Sequence, residues 1–313
     1  MKREAGMNVH RSEFLLLVML AAPAATAALG QTVALAVDPA GAQGAASIPD
    51  FSGVWWHPSL PGFEPPASGP GPVKNRSRRN GVSDYDQLVG DYTNPILKPE
   101  TAKIVKKFGE LSLKGVTFSS PANQCWPEPV PYIYKNFAVQ IFQHSDRITI
   151  IYDQDHEIRH VRMNQPHPAQ VMPSWYGDSV GHYEGATLVI DTVGTRTDRP
   201  FAMIDLYGTP YTEKLHVVER YRLLDYEDAK EGLERDAREN RRAPVGIDRN
   251  YRGKHLQLYF TVEDPGVFTM PWSATITYGR GSNEWPETVC AENIHEYYNN
   301  KDSDVPRADK PDF

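Results

Sequence analysis

Histidines and carboxylates give the first indication of chemistry in this chain. His167 sits between Pro166 and Pro168 on a proline-rounded loop, and Asp178 follows it closely. Histidine titrates near neutrality and a carboxylate can fix its tautomer, so the pair has the residue types for general acid–base work. Two further charges stand where apolar side chains are expected. Glu219 falls between Val217 and Tyr221, and Arg159 alternates with Val161 and Met163. A carboxylate is rarely buried without a partner. Arg159 with Glu219 therefore reads either as a buried pair fixing strand register or as a polar patch orienting a small ligand. In the catalytic version, Arg159 and Glu219 orient the ligand while His167 and Asp178 move protons. His182 shares parity with Asp178, and His216 opens the Glu219 strand on the opposite parity. With Trp175, Tyr183, Tyr221 and Trp272 they complete the ligand-binding candidates, although core filling is the simpler use of the aromatics. Two or three histidines and a carboxylate could also hold a metal, but no metal ligand is assigned.

Two motif matches fail in context. His156-Glu157-Ile158-Arg159-His160 fits the zinc-protease pattern, which needs both histidines one turn apart on a helix. The segment instead alternates like a strand, which would place the two Cα atoms about 13 Å apart. Gly177-Asp178-Ser179-Val180-Gly181 fits a nucleophile elbow, yet a strand rather than a helix follows Ser179.

The elements that must position these groups are mostly strands. The chain has 313 residues, 26 of them Pro and 23 Gly, with 11% aromatics, which favours β structure with many turns. Strands are expected at 50–56, 137–142, 147–152, 157–163, 179–183, 187–192, 215–223, 256–262 and 272–278. The spacing predicts a short helix over 98–111, where Pro99 comes near the start. Residues 57–84 read as a Pro/Gly-rich surface loop, and 226–242 as a charged, solvated helical insertion. Parallel strands need crossover connections, usually helical, and such helices are missing. The fold class is thus mainly β, an antiparallel up-and-down barrel or sandwich of lipocalin-like type with a few short helices.

The N-terminus has the order of an export signal. Lys2, Arg3 and Arg11 precede the apolar run 14–22, and small residues follow. Residues 1–42 read as signal and processing region, and 43–48 as a disordered tail. A single barrel-like domain over 49–298 and a flexible tail over 299–313 follow. The expected location is periplasmic or secreted, with no transmembrane anchor after cleavage. The net charge of −7 argues against a nucleic-acid partner. In an oxidising compartment the two cysteines, Cys125 and Cys290, suggest one disulfide.

Several segments together resemble a largely uncharacterised family of secreted bacterial β-barrel proteins. They include PDFSGVWW (49–56), the Cys-Trp-Pro at Cys125 and PSWYGDSVGHYEGATLVIDT (173–192). LHVVERYR (215–222), TVEDPGVFTMPW (261–272) and CAEN (290–293) continue the likeness. Where such proteins usually carry Asp-Gly-Arg before the His-Pro, this chain has Met163-Asn164-Gln165. It also has Gly185-Ala186-Thr187 where they have Gly-Asp-Thr. The resemblance implies a barrel and export, not a reaction. The leading expectation is an exported barrel that binds a small apolar or aromatic molecule and does acid–base chemistry as a lyase, isomerase or hydrolase. It needs no organic cofactor. The alternatives are a non-catalytic ligand carrier or envelope accessory protein, and a metal-dependent hydrolase.

Overall fold

Period-2 alternation of apolar side chains generates the long strands of this protein. The computed structural model describes residues 48–78, 82–116, 118–154, 157–198, 202–239, 248, 250–281 and 285. The expected export segment 1–42, the expected tail up to 47, His156, residues 240–242, Cys290 and the expected tail 299–313 lie outside the described residues. The elements in chain order are β1 (Gly53–Trp56), α1 (Pro99–Leu113), β2 (Ala138–Gln143), β3 (Arg147–Tyr152), β4 (Ile158–Met163) and β5 (Asp178–Glu184). They continue with β6 (Thr187–Val193), β7 (His216–Leu224), α2 (Tyr226–Glu239), β8 (His255–Glu263) and β9 (Trp272–Arg280). The nine strands close into a barrel in sequence order. This resolves the barrel-or-sandwich alternative in favour of the barrel.

Closure with an odd number of strands has a topological consequence. Around a closed ring, strand direction must return to its starting sense, so antiparallel junctions must be even in number. Nine strands therefore force at least one parallel junction, and it falls between β4 and β5, where Val161 faces Ser179 and Met163 faces Gly181. The sheet is otherwise antiparallel, as expected, and side-chain alternation, which carries no information about strand direction, does not locate this one exception. A parallel junction needs a crossover of a dozen or more residues, and residues 164–177 supply it without a helix. Asn164 starts the crossover at φ 55°, a left-handed conformation that Asn tolerates. Gly177 ends it at φ 70°, where a Cβ would press on the Val193 carbonyl.

The inward parity fills the barrel. Ile148, Ile150, Tyr152, Val161, Leu188, Ile190, Val217, Leu258, Phe260, Ala274 and Ile276 are all buried in one continuous core. The β1–β9 seam is short, with Trp55 opposite Arg280 and Trp56 opposite Gly279. Below it the 57–84 segment closes the edge. The amides of Ser273 and Thr275 donate to the Pro70 and Glu64 carbonyls at 3.1 and 2.8 Å. Leu60, Phe63 and Val73 of this segment are buried, and Phe63 packs edge-on against Phe260 at 5.1 Å. The expected surface loop is thus a strap with a core-facing side, because an unpaired strand edge and an open apolar interior both need cover.

Helix α1 begins at Pro99, whose missing N–H costs nothing at a first turn, and buries Thr101, Val105 and Gly109. Helix α2 is less solvated than its charge suggests. Ala229, Gly232, Asp236 and Glu239 are buried, and a Cβ at Gly232 would collide with Thr277 of β9. Glycine there lets the helix backbone approach the sheet closely enough to bury Asp236.

Candidate acid–base site

The interior pair forms as its parity requires. Arg159 and Glu219 are buried at 2% and 0% exposure. A guanidinium has five N–H donors, and each one is used. Nε donates to Ser179 Oγ at 3.0 Å. Nη1 donates to Tyr152 Oη at 3.2 Å and to Glu219 Oε1 at 3.0 Å. Nη2 donates to Thr192 Oγ1 at 2.6 Å and to Glu219 Oε2. Tyr221 Oη donates to Glu219 Oε1 at 2.7 Å. The pair thus has no donor left over for a ligand, and its geometry is that of a structural cross-brace between β4 and β7. Ser179 of the elbow-like motif lies inside strand β5, 2% exposed, between Arg159 and Thr192 Oγ1. Trp272 belongs to the same filled core, beside Phe63, Phe260 and Phe268.

The opposite parity of the same strands builds a second cluster on the outer face. Asp178, Asp191 and His216 neighbour the inward Ser179, Ile190 and Val217 in sequence, so they point outward. The 164–177 crossover lays His167 over them. His167 Nδ1 lies 2.6 Å from Asp178 Oδ2, and its Nε2 lies 2.9 Å from Asp191 Oδ1. Asp191 Oδ2 in turn meets His216 Nε2 at 2.9 Å. Arg162 grips Asp178 from the far side, with Nη1 and Nη2 at 2.5 and 3.0 Å from the two carboxylate oxygens. The result is a chain Arg162–Asp178–His167–Asp191–His216. Ionised carboxylates only accept, so the two His167 bonds together require an N–H on both ring nitrogens.

The cluster tunes its own charges. The Arg162 hydrogen bond, with a smaller part from His167, holds the Asp178 carboxyl below its ordinary value. Burial pushes Asp191 up, but the bonds from His216 and His167 outweigh it and leave that carboxyl lowered. The bond to Asp191 raises His216 above its ordinary 6.5, against partial burial. His216 Nδ1 has Glu263 at 3.9 Å, beyond hydrogen-bond distance, and its side chain is 36% exposed.

The structure brings His167, Asp178 and His216 together and sets Arg159, Glu219, Tyr221 and Trp272 apart from them, inside the barrel. Trp175 ends the crossover at the cluster's end of β5, with Trp126 at 5.8 Å and the Arg196 guanidinium 5.1 Å over its ring. His182 lies further along β5, paired with Glu184 at 3.2 Å and half-exposed. Tyr183 points inward and packs half-buried on the core. Arg162 and Asp191 escaped the sequence reading. Asp191 is embedded in the apolar run Leu188-Val189-Ile190, but its outward parity and the β5–β6 register placing it opposite Val180 were the signal. Among the described residues, no group of three or more His, Cys, Asp or Glu side chains could hold a metal ion. No protein-family model, curated protein or solved structure matches the chain.

Proposed function

We propose that this is an exported β-barrel protein whose outer His–Asp cluster performs acid–base chemistry on a small apolar or aromatic molecule, with His216 as the proton acceptor. The carrying observation is the asymmetry of the His216 ring. Asp191 engages Nε2 at 2.9 Å and fixes the tautomer, while among the described residues Nδ1 has only the longer Glu263 contact at 3.9 Å. A carboxylate-oriented imidazole with one open nitrogen is the working half of an acid–base dyad. His167, engaged at both nitrogens, orients Asp191 instead. Trp175, packed against Trp126 and Arg196, stands at the same end of the hairpin. Export rests on the basic-then-apolar order of residues 2–22, and a Cys125–Cys290 disulfide belongs to the same proposal.

The test is a turnover panel of aryl esters, lactones and enolisable aromatic ketones on the full chain and on His216→Gln. The variant is expected to lose about 10²–10⁴-fold in kcat/KM. In the wild type, kcat/KM should rise with pH through the His216 pKa, because the base must be unprotonated. That pKa lies above 6.5 through the Asp191 bond. Full turnover by His216→Gln would overturn the assignment. The second reading, a non-catalytic accessory protein, is favoured by the full engagement of His167. On that reading the cluster only clamps the crossover to the barrel, and His167→Gln loosens residues 164–177 with no activity to lose.

A further inference from the structure

A separate polar cavity lies between α2, the 57–84 strap and Tyr207, sharing no residue with the His216 cluster. Its lining includes Glu64, Asn75, Arg78, Asp236 and Glu239. Glu239 is fully engaged, with Arg78 Nη2 at 2.7 Å on one oxygen and the Ser83 amide at 2.8 Å on the other. Two other buried acceptors are not, and a third carboxylate, Glu64, is held only by ion pairs. Asp236 is 3% exposed, and its Oδ2 has no hydrogen-bond partner. Asn75 is 5% exposed; its Nδ2 donates to the Asp84 and Gln87 carbonyls at 3.1 and 3.0 Å, which fixes the amide orientation. Its Oδ1 is thereby left without a partner. The Glu64 carboxylate has Arg78 and Arg235 only at 3.7 Å.

We propose that this cavity binds an ammonium ion or the head of a small primary ammonium compound, through Asp236 Oδ2, Asn75 Oδ1 and Glu64. Two carboxylates and an amide oxygen are all acceptors, and buried acceptors are costly without donors. An ammonium group is a positive centre with at least three N–H donors, and the part-open space is about the size of one water molecule, which it matches. The lining carries Glu64, Asp236 and Glu239 against Lys74 and Arg78, and Arg235 ion-pairs with Glu64 and Asp236, so the unpaired acceptor atoms rather than an excess of negative charge would hold the cation. Arg235 reaches both carboxylates, with Nε 3.5 Å from Asp236 Oδ1 and 3.7 Å from Glu64 Oε2, neither within hydrogen-bond geometry. Burial pushes the Asp236 carboxyl up to about 7 with Arg235 opposing, while Glu64 and Glu239 add to the rise. A cation selects the ionised carboxylate, so binding should tighten about tenfold between pH 6 and pH 8.

Titration calorimetry of the full chain with ammonium and methylammonium chloride, at constant ionic strength, tests this against tetramethylammonium, which has no N–H. The expected result is saturable binding of the first two and none of the third, tighter at pH 8 than at pH 6. Asp236→Asn and Glu64→Gln should each weaken binding at least tenfold. Equal binding of tetramethylammonium, unchanged affinity in both variants, or no saturable binding at pH 8 (an ordered water only) would overturn it.

Discussion

Replacing Arg159 by Met should lower the stability of the barrel by about 3–5 kcal/mol, the cost of leaving a buried charge without its partner. For a domain of this size that corresponds to a melting temperature about 10 °C lower. The loss comes less from the missing attraction than from Glu219, which would remain at 0% exposure with tyrosine hydroxyls such as Tyr221 in place of the guanidinium. Tyr152, Ser179 and Thr192 would lose their shared donor at the same time. Removing both charges is a different matter. An Arg159→Met, Glu219→Leu double variant should recover most of the loss, because a buried ion pair replaced by apolar side chains of similar volume is often neutral. Thermal unfolding of the two proteins separates a structural brace from a ligand-orienting pair. A single variant as stable as the wild type would show that water or another group reaches Glu219.

Asp236→Asn should act in the opposite direction, increasingly as the pH rises from 4 to 7 and fully above it. The carboxyl has an ordinary value of 3.8, and burial raises it to about 7 in the folded protein. A raised carboxyl pKa means that the folded state holds the proton longer than the unfolded state. Below pH 4 both states are protonated and no penalty exists. Between pH 4 and pH 7 the unfolded chain ionises first, so stability falls with rising pH; above pH 7 the full penalty remains. About three pH units correspond to roughly 4 kcal/mol. The Asn variant avoids that ionisation, so denaturant unfolding should show it more stable than wild type by a few kcal/mol at pH 8 and nearly equal at pH 4. A destabilised variant at pH 8 would mean that Arg235 stabilises the carboxylate more than burial penalises it.

The fold was largely legible because alternation survives in the sequence. The run Val217, Glu219, Tyr221 marks the inner face of β7 despite its charge, and β3 lies where its residues indicate. The β4–β5 junction was not legible. A strand reads the same in either direction, and only the closure of nine strands requires a parallel neighbour. The consequences follow from that one junction. The crossover it demands is what carries His167 onto Asp178 and Asp191, a meeting that spacing along the chain does not encode. Parity also separated what residue type had grouped: Arg159 and Glu219 point in, Asp178 and His216 point out. Asp236 was hidden for another reason. Its charged neighbours on α2 suggest a wet helix, and only Gly232 against Thr277 betrays how closely the helix seats.

A nitrogen-15 NMR titration of the His216 ring, in wild type, Asp191→Asn and Asp236→Asn, reads the outer proton chain directly. The wild-type midpoint should lie above 6.5, since the Asp191 bond favours the protonated ring. Asp191→Asn should bring it down, because the neutral amide removes both the charge and the carboxylate acceptor at 2.9 Å. Asp236→Asn, in a separate cavity, should leave it where it is. A His216 midpoint that does not move in Asp191→Asn would contradict the proposed dyad.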